Sequence, residues 1–149
     1  MNTIADQFQA LKEYSLSIDR KIERLEELQA TAGDSAVSDF ARIGGSGSGI
    51  SDRTGRTAAA IEDMRSEIKR MTEREREEQK RLDNLLSTEI DGKWLLSPDE
   101  RVVIQMYYFD RLNIERIAEV LGLSDRGCRN LKKRGLDKLQ DFVESSIEA

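Results

Sequence analysis

Near the C-terminus of this chain lies a set of side chains with the chemistry to read base edges. Arg126 and Arg129 each offer two donors in a plane, the geometry that matches guanine O6 and N7. Asn130 can pair in the same two-point way with adenine. Asp125 stands just ahead of them, and Lys132, Lys133 and Arg134 just behind. Lysine and arginine further along a helix suit phosphates, which set register without reading sequence. From Arg126 to Lys138 there are six basic residues and one acid, Asp137, a local charge of +5. A single basic residue is usually a solvated surface charge. The spacing gives this cluster its meaning. With Cys128 and Leu131 turned inward on a helix, Asp125, Arg126, Arg129, Asn130 and Lys133 share the outward side.

Three short elements are needed to hold that helix. Ser97-Pro98-Asp99-Glu100 reads as a helix start, with Ser97 as N-cap, Pro98 at the first helical position and Glu100 three after the cap. The helix it opens runs to about Phe109, with Val103, Ile104, Tyr107 and Tyr108 as its apolar face. Asn113 caps a second helix over 114–121, and Gly122 ends it in the left-handed conformation that glycine tolerates. Ser124 caps the last helix, which runs to about Val143. Ala118, four residues before Gly122, is small where two helices must cross closely. Helix, three-residue turn and helix with these anchors is a helix-turn-helix, which places its second helix in the DNA major groove. Gly127, inside that helix, lowers its propensity by about 1 kcal/mol. Cys128 reads as a small core hydrophobe rather than a redox sensor.

The rest of the chain reads as an extended arm. Ile4, Phe8, Leu11, Ser15, Ile18, Ile22 and Leu25 alternate steps of four and three, a heptad seam within a helix over 2–32. Residues 33–56 break the pattern, and Gly44-Gly45-Ser46-Gly47-Ser48-Gly49 reads as a flexible linker. A phosphate-cradling loop would need the lysine and spacing that this run lacks. Ser51-Asp52 reads as a cap for a second long helix over 53–88. Its seam, Ile61, Met64, Ile68, Met71, Glu75, Glu78, Leu82 and Leu85, is acidic in the middle, which suits a solvated stretch. The two helices can pair as an antiparallel hairpin or between chains. The expected fold is all-α: an arm over 1–90 with its Gly/Ser-rich loop at 44–56, then a helix-turn-helix domain over 94–149.

Composition narrows the function classes. Of 149 residues, 38% are hydrophobic and 36% charged, too polar for one compact core. Net charge is −5, from 24 basic and 29 acidic residues, but a local basic face is what meets nucleic acid. There is one cysteine and no histidine, so neither an intramolecular disulfide nor a Cys/His zinc site is expected. Without histidine or a Gly-x-Ser-x-Gly nucleophile motif, an enzyme is not expected, nor is any cofactor. No apolar run approaches the ~20 residues of a membrane span. The N-terminus, Met1-Asn2-Thr3-Ile4-Ala5-Asp6-Gln7, has no basic segment before an apolar stretch, so a cytoplasmic protein without a signal peptide is expected.

The C-terminal residues resemble region four of bacterial sigma factors. Residues 97–109 are similar to that family's first scaffold helix, 114–124 to its supporting helix and turn, and 129–139 to the body of its recognition helix. The resemblance spans about a third of the chain. It implies contact with promoter-type double-stranded DNA through Asp125, Arg126, Arg129 and Asn130. The sequence departs from the family pattern at Gly127 and Gly135, and at Asp125, where a basic residue is often found. The chain as a whole also resembles phage regulators of the RinA/ArpU type, which implies control of late phage genes together with RNA polymerase. A complete sigma factor is not expected, because no aromatic-rich segment for melted single strands is present and aromatics are only 5%. The leading expectation is a transcription regulator whose arm dimerises or engages a partner. The competing one is a phage structural or packaging adaptor in which the coiled-coil arm carries the function.

Overall fold

The computed structural model describes residues 2–41 and 48–148. Among them the architecture is all-α, as expected. Helix α1 (Ile4–Ala41) and helix α2 (Ser48–Leu86) come first. A small hairpin of β1 (Glu89–Ile90) and β2 (Lys93–Trp94) follows, then α3 (Pro98–Ile104), a π-helical turn (Gln105–Phe109), α4 (Ile114–Leu121) and α5 (Asp125–Glu148).

Both long helices extend further than their apolar seams. Helix α1 continues past residue 32 to Ala41, and α2 starts at Ser48, so Ser51 and Asp52 lie inside it rather than capping it. The expected break over 33–56 is corrected to that extent, and residues 42–47 of the glycine-rich run lie outside the described residues. No proline occurs there, and each helical glycine costs only about 1 kcal/mol. Periodic burial had marked where the helices pack, not where the backbone stops being helical.

The chain divides into two compact units, Met1–Tyr14 with Glu75–Ala149, and Ser15–Arg74. The boundary expected near residues 90–94 therefore does not match the compact division. The start of α1 and the end of α2 belong with the helix-turn-helix. Their Ile4, Phe8, Leu11, Leu82 and Leu86 share one buried core with Leu96, Ile104, Tyr108, Leu136 and Leu139. Phe8 is fully buried, its ring 5.2 Å from Tyr108 and 6.0 Å from Phe109. Polar contacts reinforce the join. The Gln140 side chain of α5 accepts from the Ile4 backbone N–H at 2.8 Å. Gln105 donates to Asp83 at 3.1 Å, and Arg81 donates to Gln7 at 2.6 Å. The start of α1 is itself capped, with Thr3 accepting from the Asp6 N–H and Asp6 from the Thr3 N–H, each at 3.1 Å.

In the second unit Lys21 of α1 pairs with Glu67 of α2. This pair joins α1 to α2 within one chain. Within that unit, among the described residues, Ile18 alone of the seam is buried, while Ile22, Leu25, Ile61, Met64, Ile68 and Met71 are half-buried. The seam of this unit is thus only partly covered.

The hairpin was not anticipated. Its turn is Asp91-Gly92, with φ of 54° and 77°, the doubly left-handed turn that matches strand twist and favours Asp-Gly. The Leu95 N–H then donates to the Thr88 carbonyl at 2.9 Å, returning the chain toward α3.

The capping box at α3 forms as its residues require. Ser97 Oγ accepts from the Glu100 N–H at 3.2 Å, and Glu100 Oε1 accepts from the Ser97 N–H at 2.9 Å. The same Oε1 accepts from Lys138 Nζ of α5 at 2.6 Å, so the cap also ties α3 to α5. Gly135 sits at that crossing, where a Cβ would lie 2.6 Å from Ile104 Cδ1. The departure from helix-favouring residues at this position thus has a packing cause. Burial pushes the Glu100 carboxyl up, but the Lys138 ammonium and Ser97 backbone N–H pull it further down, to a net value below its ordinary 4.5. A lowered folded value means that the contribution is fully present above pH 4.5 and fades as pH falls through the folded value. Glu100→Gln keeps an acceptor for the cap and removes the charge. It is expected to lower the unfolding free energy by about 1–2 kcal/mol at pH 7. In urea titrations the gap from the parent should narrow toward pH 3; a gap independent of pH would contradict this account.

Candidate nucleic-acid interface

The turn between α4 and α5 is built by caps. Asn113 Oδ1 accepts from the Arg116 N–H at 2.8 Å and starts α4. Gly122, at φ 67° and ψ 34°, ends it in the left-handed conformation, where its N–H donates to the Ala118 carbonyl. The Leu123 N–H donates to the same carbonyl at 2.9 Å. Any residue with a Cβ would be strained at Gly122. Ser124 then starts α5, its Oγ accepting from the Gly127 N–H at 3.0 Å. A Cβ on Gly127 would lie 3.1 Å from that Oγ, so a residue that weakens the helix leaves the cap room.

A small core fixes the angle of α5. Val103, Ile117, Ala118 and Cys128 are buried together, with Met106, Tyr107, Leu112, Ile114, Leu121 and Leu131 packed around them. Cys128 fills this core as a small apolar group. Burial first, and then the Asp125 charge, push its thiol pKa up, which disfavours the reactive thiolate. Leu123, in the turn, and Val120 of α4 remain exposed at 41% and 52%.

With Cys128 inward, Asp125, Arg126, Arg129, Asn130, Lys133 and Arg134 are all exposed. Arg126, Arg129, Asn130 and Lys133 fall on one side of the helix, at the three- and four-residue steps that make side chains neighbours. Asp125 lies in the first turn, where its charge favours the helix dipole.

Two residues counted in the basic cluster are placed elsewhere. Lys132 is half-buried, with its ammonium 3.9 Å from the Tyr107 ring centroid and 5.8 Å from that of Tyr108. It follows Cys128 by four residues, so helical geometry carries it to the inward margin. Lys138 turns to Glu100 for the same reason of register. The charge of +5 read from the sequence is thus reduced at the exposed face between 126 and 138 to four bases and one acid, a net +3.

The scaffold beneath departs from a plain helix. The expected helix to Phe109 is α-helical only to Ile104, and the next five residues form a π-helical turn in which the Asp110 N–H reaches back to the Gln105 carbonyl at 3.1 Å. This widened turn carries Tyr107 and Tyr108, whose rings meet edge to face at 4.8 Å. Burial, and then the neighbouring Tyr107, push the Tyr108 hydroxyl up to about 12.

Among the described residues no helix is long and apolar enough to cross a membrane. No curated protein and no solved structure matches the chain. Residues 95–141 match the family model of sigma-70, region 4, a DNA-binding helix-turn-helix family.

Proposed function

We propose that this protein is a sequence-specific DNA-binding transcription regulator that reads promoter-type DNA with α5. The observation that carries the reading is the exposed set Arg126, Arg129, Asn130 and Lys133 on one side of α5, within the region 4 segment. In the proposed complex, Arg126, Arg129 and Asn130 meet base edges in the major groove. Asp125 accepts from a cytosine amino group or orients its arginine neighbours, and Lys133 and Arg134 hold phosphates. The likeness of the whole chain to phage regulators supports a phage or prophage origin, with RNA polymerase as a protein partner. The half-open seam of the Ser15–Arg74 unit supports a role for the arm in self-association or partner binding.

The test is in vitro selection of duplexes bound by the purified chain, followed by anisotropy titrations at several salt concentrations. A preferred sequence should emerge, and log affinity should fall linearly with log salt by about 0.9 per phosphate contact. Absence of binding at low salt would end this reading. Equal affinity for selected and random DNA would favour the adaptor reading, in which the arm carries the function; light scattering then reports the arm's assembly state.

A further inference from the structure

Lys12 of α1 lies outside the region 4 segment, yet its ammonium sits 3.7 Å from the centroid of the Tyr107 ring. Lys132 of α5 approaches the same ring at 3.9 Å. All three residues belong to the Met1–Tyr14 and Glu75–Ala149 unit. A single tyrosine ring attracts one cation well. Two cations brought to one ring repel each other, and their placement calls for an anion between them.

No described ion pair supplies one. Among the described residues neither lysine takes part in an ion pair. Neither has an acid at helical-neighbour spacing, since Lys12 is flanked by Phe8, Gln9, Ser15 and Leu16, and Lys132 by Cys128, Arg129, Gly135 and Leu136. Because both ammonium groups lie within 4 Å of one centroid, they are at most roughly 8 Å apart, a gap that the two free oxygens of one phosphate span with a charge-assisted hydrogen bond at each end.

We propose that Lys12 and Lys132, held by Tyr107, form a site for one DNA backbone phosphodiester beside the groove that α5 reads. The inference rests on the DNA-binding reading and adds to it a contact from α1. Lys132 directly precedes Lys133 and follows Arg129 by three residues, so the site flanks the base-reading side of α5. The π-helical turn carries Tyr107, whose ring both ammonium groups approach within 4 Å. The N-terminal helix is then part of the DNA-binding surface as well as of the core.

The test uses the full chain and its selected duplex. Lys12→Gln should reduce the slope of log affinity against log salt by about 0.9 and leave the ranking of DNA sequences unchanged. Lys12→Arg should retain the parent slope. The Lys12→Gln, Lys132→Gln double variant should lose a slope of about one, not two, because both lysines serve one phosphate. Lys69→Gln, on an exposed part of α2, should leave the slope unchanged. If Lys12→Gln lowers the melting temperature, Lys12→Met keeps the apolar stem over the ring without the charge and replaces it. An unchanged slope in Lys12→Gln, with the parent binding in a salt-dependent way, would overturn the proposal alone. A slope loss of two in the double variant would overturn the shared site. A parent that does not bind DNA would overturn both this site and the reading beneath it.

Discussion

Phe8→Ala should lower the unfolding free energy by about 4 kcal/mol, although residue 8 lies far outside the region 4 segment. The ring is fully exposed to protein and not at all to water, and it meets both Tyr108 and Phe109. Truncation opens a cavity in the buried cluster that Phe8 shares with Leu82, Leu86, Ile104 and Tyr108, and close-packed cores relax only partly around such a loss. Loss of two aromatic contacts adds to the transfer term. Urea unfolding followed by the fluorescence of Trp94, which lies half-exposed under the Arg101 guanidinium at 4.4 Å, measures the loss. A loss below about 1 kcal/mol would mean that the N-terminal helix merely rests on the helix-turn-helix. The same reasoning applies to residues 95–141 expressed alone, where Leu96, Ile104, Tyr108 and Leu139 would meet water instead of α1 and α2.

The Arg126→Ala, Arg129→Ala double variant should weaken binding to the selected duplex by about 3 kcal/mol, roughly a hundredfold, and flatten the preference at the bases these residues contact. Both side chains are exposed, so urea unfolding should be unchanged within about 0.5 kcal/mol. Lys133→Ala provides the contrast, because loss of a phosphate contact lowers affinity about equally for every sequence. Titrations against the selected duplex and single-base variants of it distinguish the two effects. If the double variant weakens all sequences alike, these arginines hold backbone, and base reading must be sought elsewhere on α5.

Much of the C-terminal unit was legible because its determinants are local. A cap is a side chain meeting a backbone N–H two or three residues away, so Ser97, Asn113 and Ser124 could be placed from spacing alone. Gly122 needed only its own dihedrals. The inward turn of Cys128 and the outward turn of Arg126, Arg129 and Asn130 follow from helical period. The hairpin, too, had a local signal in Asp91-Gly92, obscured because two-residue strands carry no alternation to accompany it.

Tertiary structure decided what depends on residues remote in sequence. Heptads in α1 and α2 state that an apolar stripe must be covered, but a stripe is equally satisfied by the other long helix, by a second copy or by α3 and α5. Only the assembled core assigns Phe8 to Tyr108 and Leu82 to the helix-turn-helix, and so divides the chain at Tyr14 and Glu75. Side-chain reach was the other undetermined quantity. Lys132 and Lys138 have the same charge as Lys133, but their long stems let one ammonium settle on an aromatic ring and the other on a buried carboxylate. Charge is a property of the residue, whereas the surface on which it acts is a property of its neighbours.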